Sequence, residues 1–262
     1  MAYETIAVQQ AGSIVTITLS RPDKLNALSV AMADELCTAL DEVGRGGQAR
    51  VVVVTGAGNT FSAGGDLSEM ERILESALET DRGARSFLNV TRTLHELEVP
   101  TVARINGDVY GGACGIVMAC DFRIAREEAR FGFVFTRVGL SGADAGVSYF
   151  LPRLVGLGKA TELLMLGETV DAREAERIGL IHRAVPAGEL DQTADDLARR
   201  LANGPPLALK FTKRALRDGL DRDLATDFEY EAYVQGLCFR TEDHREGLQA
   251  FLEKRKPEFK GA

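Results

Sequence analysis

Apolar positions in the first two thirds of the chain follow two alternating rhythms. Ile14-Val-Thr-Ile-Thr-Leu19 is rich in β-branched residues and lies between Gly12 and Pro22, which predicts a strand. Leu28, Met32, Leu36 and Leu40 recur every four residues between Leu28 and Val43, which predicts an amphipathic helix. Val51-Val-Val-Val54 is a continuous apolar run, the pattern of a strand buried on both faces. Met70, Ile73, Leu74, Ala77 and Leu78 mark one face of a further helix. Pro100 to Ile105 reads as a strand, Gly115 to Cys120 as a buried helix, and Phe122 to Ala125 as a strand again. Strands alternating with helices predict a mainly parallel α/β architecture with right-handed crossovers.

The rhythm changes near Gly158. Residues 158–180 and 187–203 read as helices, Gly204-Pro205-Pro206 breaks the chain, and 207–262 are nearly all helical in pattern. We read 1–200 as an α/β core and 201–262 as a helical region of the same domain. Its surplus apolar helix face suits contacts between subunits.

Composition narrows the classes. At 262 residues, 45% hydrophobic and 27% charged, the chain is long enough for a self-sufficient core, so disorder and a small disulfide scaffold are excluded. Its 31 Lys+Arg against 39 Asp+Glu give a net charge of −8, with no basic stripe before the last dozen residues, which argues against nucleic acid as a partner. No apolar run approaches the ~20 residues of a membrane helix. Met1-Ala-Tyr-Glu-Thr5 has neither the basic nor the apolar region of a signal peptide. Cys37, Cys114, Cys120 and Cys238 form no Cys-x-x-Cys pair. A cytoplasmic protein without membrane attachment is expected.

Two glycine-rich segments carry the candidate chemistry. Gly56-Ala-Gly-Asn-Thr-Phe-Ser-Ala-Gly-Gly-Asp-Leu67 and Asn106-Gly-Asp-Val-Tyr-Gly-Gly-Ala-Cys114 each run from a strand toward a helix. Glycine admits positive φ and close approach of a ligand to the backbone, and a helix N-terminus leaves N–H groups unpaired. Two such turns side by side can offer two donors to one developing oxyanion, or they can simply be tight connections. A dinucleotide site is disfavoured, because Phe61 stands where the third glycine of G-x-G-x-x-G belongs. Gly146-Val-Ser148-Tyr-Phe150 lacks the last glycine of a nucleophile elbow, and His95-Glu96 lacks the second histidine of a zinc helix at Val99. No metal site is expected.

Four segments in order now match a known pattern: Arg21-Pro-Asp-Lys-Leu-Asn-Ala-Leu28, Phe61-Ser-Ala-Gly-Gly-Asp-Leu67, Ile105-Asn-Gly-Asp-Val-Tyr-Gly-Gly-Ala-Cys114, and the helix-like run from Thr241 to Lys256. Over essentially its whole length the chain resembles the crotonase superfamily, the enoyl-CoA hydratase/isomerase family. The resemblance implies a ClpP/crotonase-like α/β fold, a ββα-type core with a helical C-terminal oligomerisation layer. It implies a homotrimer or a dimer of trimers acting on an acyl-CoA thioester, with CoA part of the substrate and no permanently bound cofactor. It places the N–H groups of Gly65 and Gly112 in the oxyanion hole. It puts Lys24, Leu25, Ala63, Gly64, Asp66 and Leu67 along the CoA path, with Asp66 also fixing the first turn by Asx-type bonding, and Phe251 and Lys254 at a CoA contact often made across a subunit boundary.

The chain departs from the family's hydratases at both positions where they hold a water with glutamates. Gly115 and Phe135 stand there, and neither carries a proton. Gly139-Leu-Ser-Gly-Ala-Asp-Ala-Gly146 reads as one residue longer than in typical hydratases. That places Asp144 where dienoyl-CoA isomerases and a dehalogenase-type branch carry an aspartate; Asp144 is either that group or a cap for a helix starting near Ala145. Asp108, Glu69 and Tyr110 are weaker candidates, and Ser141 lacks a histidine partner. Single-carboxylate chemistry such as double-bond isomerisation fits better than hydration. A CoA-ester hydrolase or decarboxylase, or a CoA-ester-binding protein without turnover, are the alternatives.

Overall fold

The computed structural model describes residues 3–73 and 76–262. Among them the chain runs β1 (Ile6–Ala11), β2 (Ile14–Leu19), α1 (Val30–Gly46), β3 (Val51–Gly56), α2 (Leu67–Ile73), α3 (Ala77–Glu96), β4 (Thr101–Ile105), β5 (Val109–Tyr110), α4 (Gly112–Ala119), β6 (Phe122–Arg126) and β7 (Arg130–Gly132). It continues through α5 (Val147–Val155), α6 (Leu157–Leu166), β8 (Thr169–Asp171), α7 (Ala172–Arg177), β9 (Arg183–Val185), α8 (Leu190–Ala202), α9 (Pro206–Gly219), α10 (Leu224–Cys238) and α11 (Glu242–Glu253).

The main sheet has the order β1-β2-β3-β4-β6-β9. The β1–β2 hairpin is antiparallel and every other pairing is parallel. All six residues of β3 are buried, as its unbroken apolar run requires of a strand covered on both sides. In α1, Met32, Leu36 and Leu40 are at most 1% exposed, and Ser29 caps the helix by accepting the Met32 N–H at 3.1 Å. Val90 and Leu94 of α3 join the same core. Each such fully buried aliphatic side chain contributes about 1.5–3 kcal/mol relative to exposure. The turns at the C-terminal ends of β3 and β4 therefore sit on a rigid base.

Three expectations are corrected. Residues 158–180 are not one helix. Gly167 adopts φ 67° and ends α6, Thr169–Asp171 pairs with β7, and Asp171 then caps α7 by accepting the Glu174 N–H at 2.8 Å. The face predicted from Met70 to Leu78 is divided between α2 and α3. Ser76 starts α3, Ala77 and Leu78 point to solvent, and Leu74 lies outside the described residues. The small sheet β5-β7-β8 has strands of two or three residues, too short to show a period. The last nine residues leave the helical pattern, since α11 ends at Glu253.

Candidate active site

The two glycine-rich turns zip together through their backbones. The N–H groups of Phe61 and Ser62 donate to the Asp108 carbonyl (3.2 and 3.1 Å), and the Tyr110 N–H donates to the Ser62 carbonyl (3.0 Å). On its other side the first turn pairs with the segment before α1. Leu28 N–H donates to Gly64 (2.7 Å) and Asp66 N–H donates to Leu28 (2.9 Å), a parallel bridge centred on Leu28 and Gly65. In such a bridge the central residue directs its own N–H away from the partner strand. The Gly65 amide therefore points out of the pairing. Gly112 is the first residue of α4, so its N–H has no intrahelical acceptor. Among the described residues neither amide donates a hydrogen bond.

Glycine is required where the turns touch. Gly64 has φ 90°, and a Cβ built on it would lie 2.7 Å from the Tyr110 carbonyl oxygen. Gly111 has φ 54°, and its Cβ would lie 3.9 Å from the Gly64 Cα. The backbone on each side of the candidate oxyanion hole is thus in direct contact.

Three buried or half-buried side chains hold the first turn, and no local pattern marks them in the chain. Asn26 is fully buried, accepts the Arg21 N–H (3.0 Å), and donates through Nδ2 to the carbonyls of Ala57 and Thr60 (2.8 Å each). Asn106 accepts the Gly56 N–H (3.1 Å) and donates to the Gly58 carbonyl (2.8 Å). Ser62 donates to the Asn26 carbonyl (2.7 Å) and accepts the Gly64 N–H (3.2 Å). The signal for these roles is long-range contact, with partners up to 50 residues away.

Asp66 closes the turn. Its carboxylate accepts from Arg21 (2.7 Å), Lys24 (3.3 Å) and the Ser68 N–H (3.1 Å). Burial alone would raise its pKa; the bonds from Ser68, Arg21 and Lys24 outweigh that and hold it well below the usual carboxylate range. Its carbonyl also accepts from Glu69 and Met70. The expected Asx-type bond is present. The amide, carbonyl and carboxylate of Asp66 thus all have partners within the chain, which makes Asp66 the brace of the first turn.

The other residues on the expected CoA path sit at the rim. Leu25 and Leu67 are exposed, Ala63 is half-buried with its N–H on the Leu25 carbonyl (3.0 Å), and Lys24 turns its ammonium onto Asp66. Leu25 and Asn26 both adopt φ 52°, so the rim itself is a left-handed turn. Phe251 and Lys254 lie at the exposed end of α11, where Lys254 terminates the helix at φ 54°. Among the described residues no hydrogen bond or ion pair ties either of them to the two turns within this chain.

Asp144 lies beside the second turn. A Cβ built on Gly112 would stand 3.5 Å from Asp144 Oδ2 and 3.4 Å from the Ala145 methyl. The side chain does not cap a helix: α5 starts after Gly146 with no side-chain cap, and the Val147 N–H donates to the Asp144 carbonyl at 2.8 Å. Burial pushes the Asp144 carboxyl up from its ordinary value, partly offset by the Ala145 N–H. Phe135 is buried, with its ring edge 3.9 Å from the Cβ position of Gly111. Next to Gly112 and Ala145 runs a crevice walled by Leu28, Ala33, Leu36, Phe87, Val90 and Ile116, too narrow to admit a water molecule.

The weaker candidates have structural work. Glu69 accepts the Val30 N–H (3.0 Å) at the start of α1, Asp108 accepts the Arg130 N–H (3.0 Å), and Ser141 accepts the Ala143 N–H (3.1 Å). Tyr110 lays its ring against Gly132. His95 packs on Tyr149 and Phe150, His182 accepts the Arg123 N–H (3.2 Å), and His244 packs on Phe239. Among the described residues no three His, Cys, Asp or Glu side chains cluster as metal ligands would.

Comparison with known proteins agrees over the full length. Residues 9–262 match the family described as Enoyl-CoA hydratase/isomerase. The short-chain-enoyl-CoA hydratase of Clostridium acetobutylicum is 36% identical over 259 residues, covering 98% of each chain. The crotonyl-CoA hydratase of Syntrophomonas wolfei is 35% identical over 260 residues, covering 99% of each. The solved structure of an enoyl-CoA hydratase from Bacillus anthracis superposes with a TM-score of 0.95 at 35% identity, covering 99% of this chain and 100% of that one.

Proposed function

Because this chain belongs to the enoyl-CoA hydratase/isomerase family and shares its crotonase fold, we propose that it moves a carbon–carbon double bond along an acyl-CoA chain, with Asp144 carrying the proton. The thioester carbonyl oxygen accepts the N–H groups of Gly65 and Gly112. The Asp144 carboxylate removes a proton from the acyl chain beside the double bond. In a 3-enoyl ester that proton leaves the α carbon, and its electron pair flows directly into the carbonyl, giving an enolate conjugated with the double bond whose oxygen carries the negative charge. Protonated Asp144 then returns the proton two carbons away, and the double bond re-forms in its new position. No water or further cofactor is consumed.

Magnitudes support this division of work. One oxyanion donor contributes about 3–4 kcal/mol in the transition state. A positioned acid–base group contributes about 10²–10⁴-fold. Efficient hydration needs groups to activate water and to protonate carbon, and the two positions where the family's hydratases place glutamates hold Gly115 and Phe135. The observation that carries the reading is the Asp144 carboxylate, with no role as a helix cap, next to Gly112. Burial raises the pKa of this carboxyl, which makes its carboxylate a stronger base than an exposed one.

The CoA portion would follow the Lys24-Leu25 backbone, Ala63, Gly64 and Leu67. Phe251 and Lys254 would meet it from a neighbouring copy in a homotrimer or a dimer of trimers. Leu216, Leu220, Phe228, Phe239, Phe251 and Leu252 are all more than half exposed on the helical layer, which supports such packing. Hydration is the second reading, favoured by relatives that are named hydratases. Assays with 3-hexenoyl-CoA and crotonyl-CoA on wild type and Asp144→Asn separate the two. Isomerisation lost in the variant, with slow hydration throughout, supports the proposal. Fast crotonyl-CoA hydration that survives Asp144→Asn refutes it.

A further inference from the structure

Glycine inside a helix is less stable than alanine by about 1 kcal/mol, so Gly115 in the middle of α4 needs a physical reason. The reason lies in the turn that carries Asp144. A Cβ at position 115 would overlap the Ala145 carbonyl oxygen and stand 3.0 Å from its carbon and 3.2 Å from its methyl. The bare Cα of Gly115 is therefore the surface on which the Ala145 peptide rests. The turn resting there is unusual. Ala145 adopts φ 44° although it carries a side chain, and Gly146 follows at φ 75°. Ala145 is 1% exposed. Beyond Gly146, the Phe150 ring lies 2.8 Å from the Cβ position, closing the turn from the far side. A left-handed alanine persists only where its surroundings over-determine it. Here they are Gly112 and Gly115 on one side and Phe150 on the other.

We propose that Gly115 is a positioning residue: its missing side chain seats the Ala145 carbonyl on α4, and that seat fixes the Asp144 carboxylate beside the Gly112 amide. The proposal rests on the reading of Asp144 as the proton carrier. It has a corollary for this chain. Any side chain at 115, a glutamate included, competes with the turn for the same space. The seated turn and a carboxylate at 115 therefore exclude each other, and Gly115→Glu alone does not add a water-holding group to this site.

The test is a crystal structure of Gly115→Ala together with steady-state kinetics on 3-hexenoyl-CoA. The added methyl should lift the Ala145 peptide and displace Asp144 Oδ2 from Gly112 by about 1 Å or more. A misplacement of that size lowers kcat about 10²-fold. KM should stay within about threefold, because the CoA contacts lie on other segments. Ala145→Gly is the second variant. It keeps the carbonyl and relieves the left-handed strain but removes the methyl packed on Gly112 and Gly115. It should fold and lower kcat about tenfold with KM unchanged. An Asp144 carboxylate unmoved in the Gly115→Ala crystal overturns the proposal. If Gly115→Ala does not fold, an unchanged kcat in Ala145→Gly overturns it. Failure of the parent reading looks different: Asp144→Asn would be as active as wild type, while the crystal would still decide whether Gly115 seats the turn.

Discussion

Replacing Asp66 by asparagine tests whether the first turn is held by charge. The carboxylate is 6% exposed and is met by Arg21, itself only 17% exposed, at 2.7 Å. Lys24 adds a weaker contact at 3.3 Å from a half-exposed position, where solvent screens most of its effect. Asparagine keeps the shape and can still accept the Ser68 N–H, but it loses the charge opposite Arg21. Charge-assisted hydrogen bonds contribute about 1.5–3 kcal/mol each, so Asp66→Asn should destabilise the fold by about 2–3 kcal/mol. Unfolding entropy of about 2.1 cal/mol/K per residue gives about 0.55 kcal/mol/K for this chain, so Tm should fall by about 4–5 °C at pH 7. The pH dependence follows from the sign of the shift. The folded-state pKa lies below the ordinary 3.8, so the stabilisation is full above that value and is lost as pH falls through and below it. Thermal melts by circular dichroism should show a constant gap between wild type and variant from about pH 8 to pH 5, narrowing below about pH 4. A gap under about 1 °C at pH 7, or one that widens in acid, would refute the electrostatic account.

Two further outcomes are expected. Phe87 is the half-buried wall of the crevice beside Gly112, so Phe87→Ala should open room for longer acyl chains. Calorimetric affinities for saturated butyryl- and decanoyl-CoA should shift toward the longer ester by about tenfold, and an unchanged ratio would show that the acyl group lies elsewhere. Sedimentation equilibrium should give three or six times the 28.3 kDa subunit mass, because the helical layer leaves its large apolar side chains uncovered; a mass of one subunit counts against it.

The long periodic elements were legible from the chain itself. The every-fourth-residue spacing of α1 and the valine run of β3 are local patterns, and local patterns dictate which face is buried. Both glycine turns were legible too, because positive φ and close backbone approach leave no choice of residue. Asn26, Asn106 and the seat at Gly115 were not, since each acts on a partner distant in sequence: Thr60, Gly56 and Ala145. The sequence left Asp144 open between helix cap and site carboxylate, and the main-chain path through Ala145 and Gly146 decided against the cap.

By itself, then, the amino-acid order determined the alternation of strand and helix, the two turns that can present bare amides, and the presence at 115 and 135 of a glycine and a phenylalanine, which carry no proton. Tertiary structure alone decided that those turns touch, that the Gly65 and Gly112 amides stay free of acceptors among the described residues, and that Asp144 stands beside Gly112. Periodicity and glycine are properties of a few consecutive residues, whereas contact between segments depends on how the whole core packs beneath them.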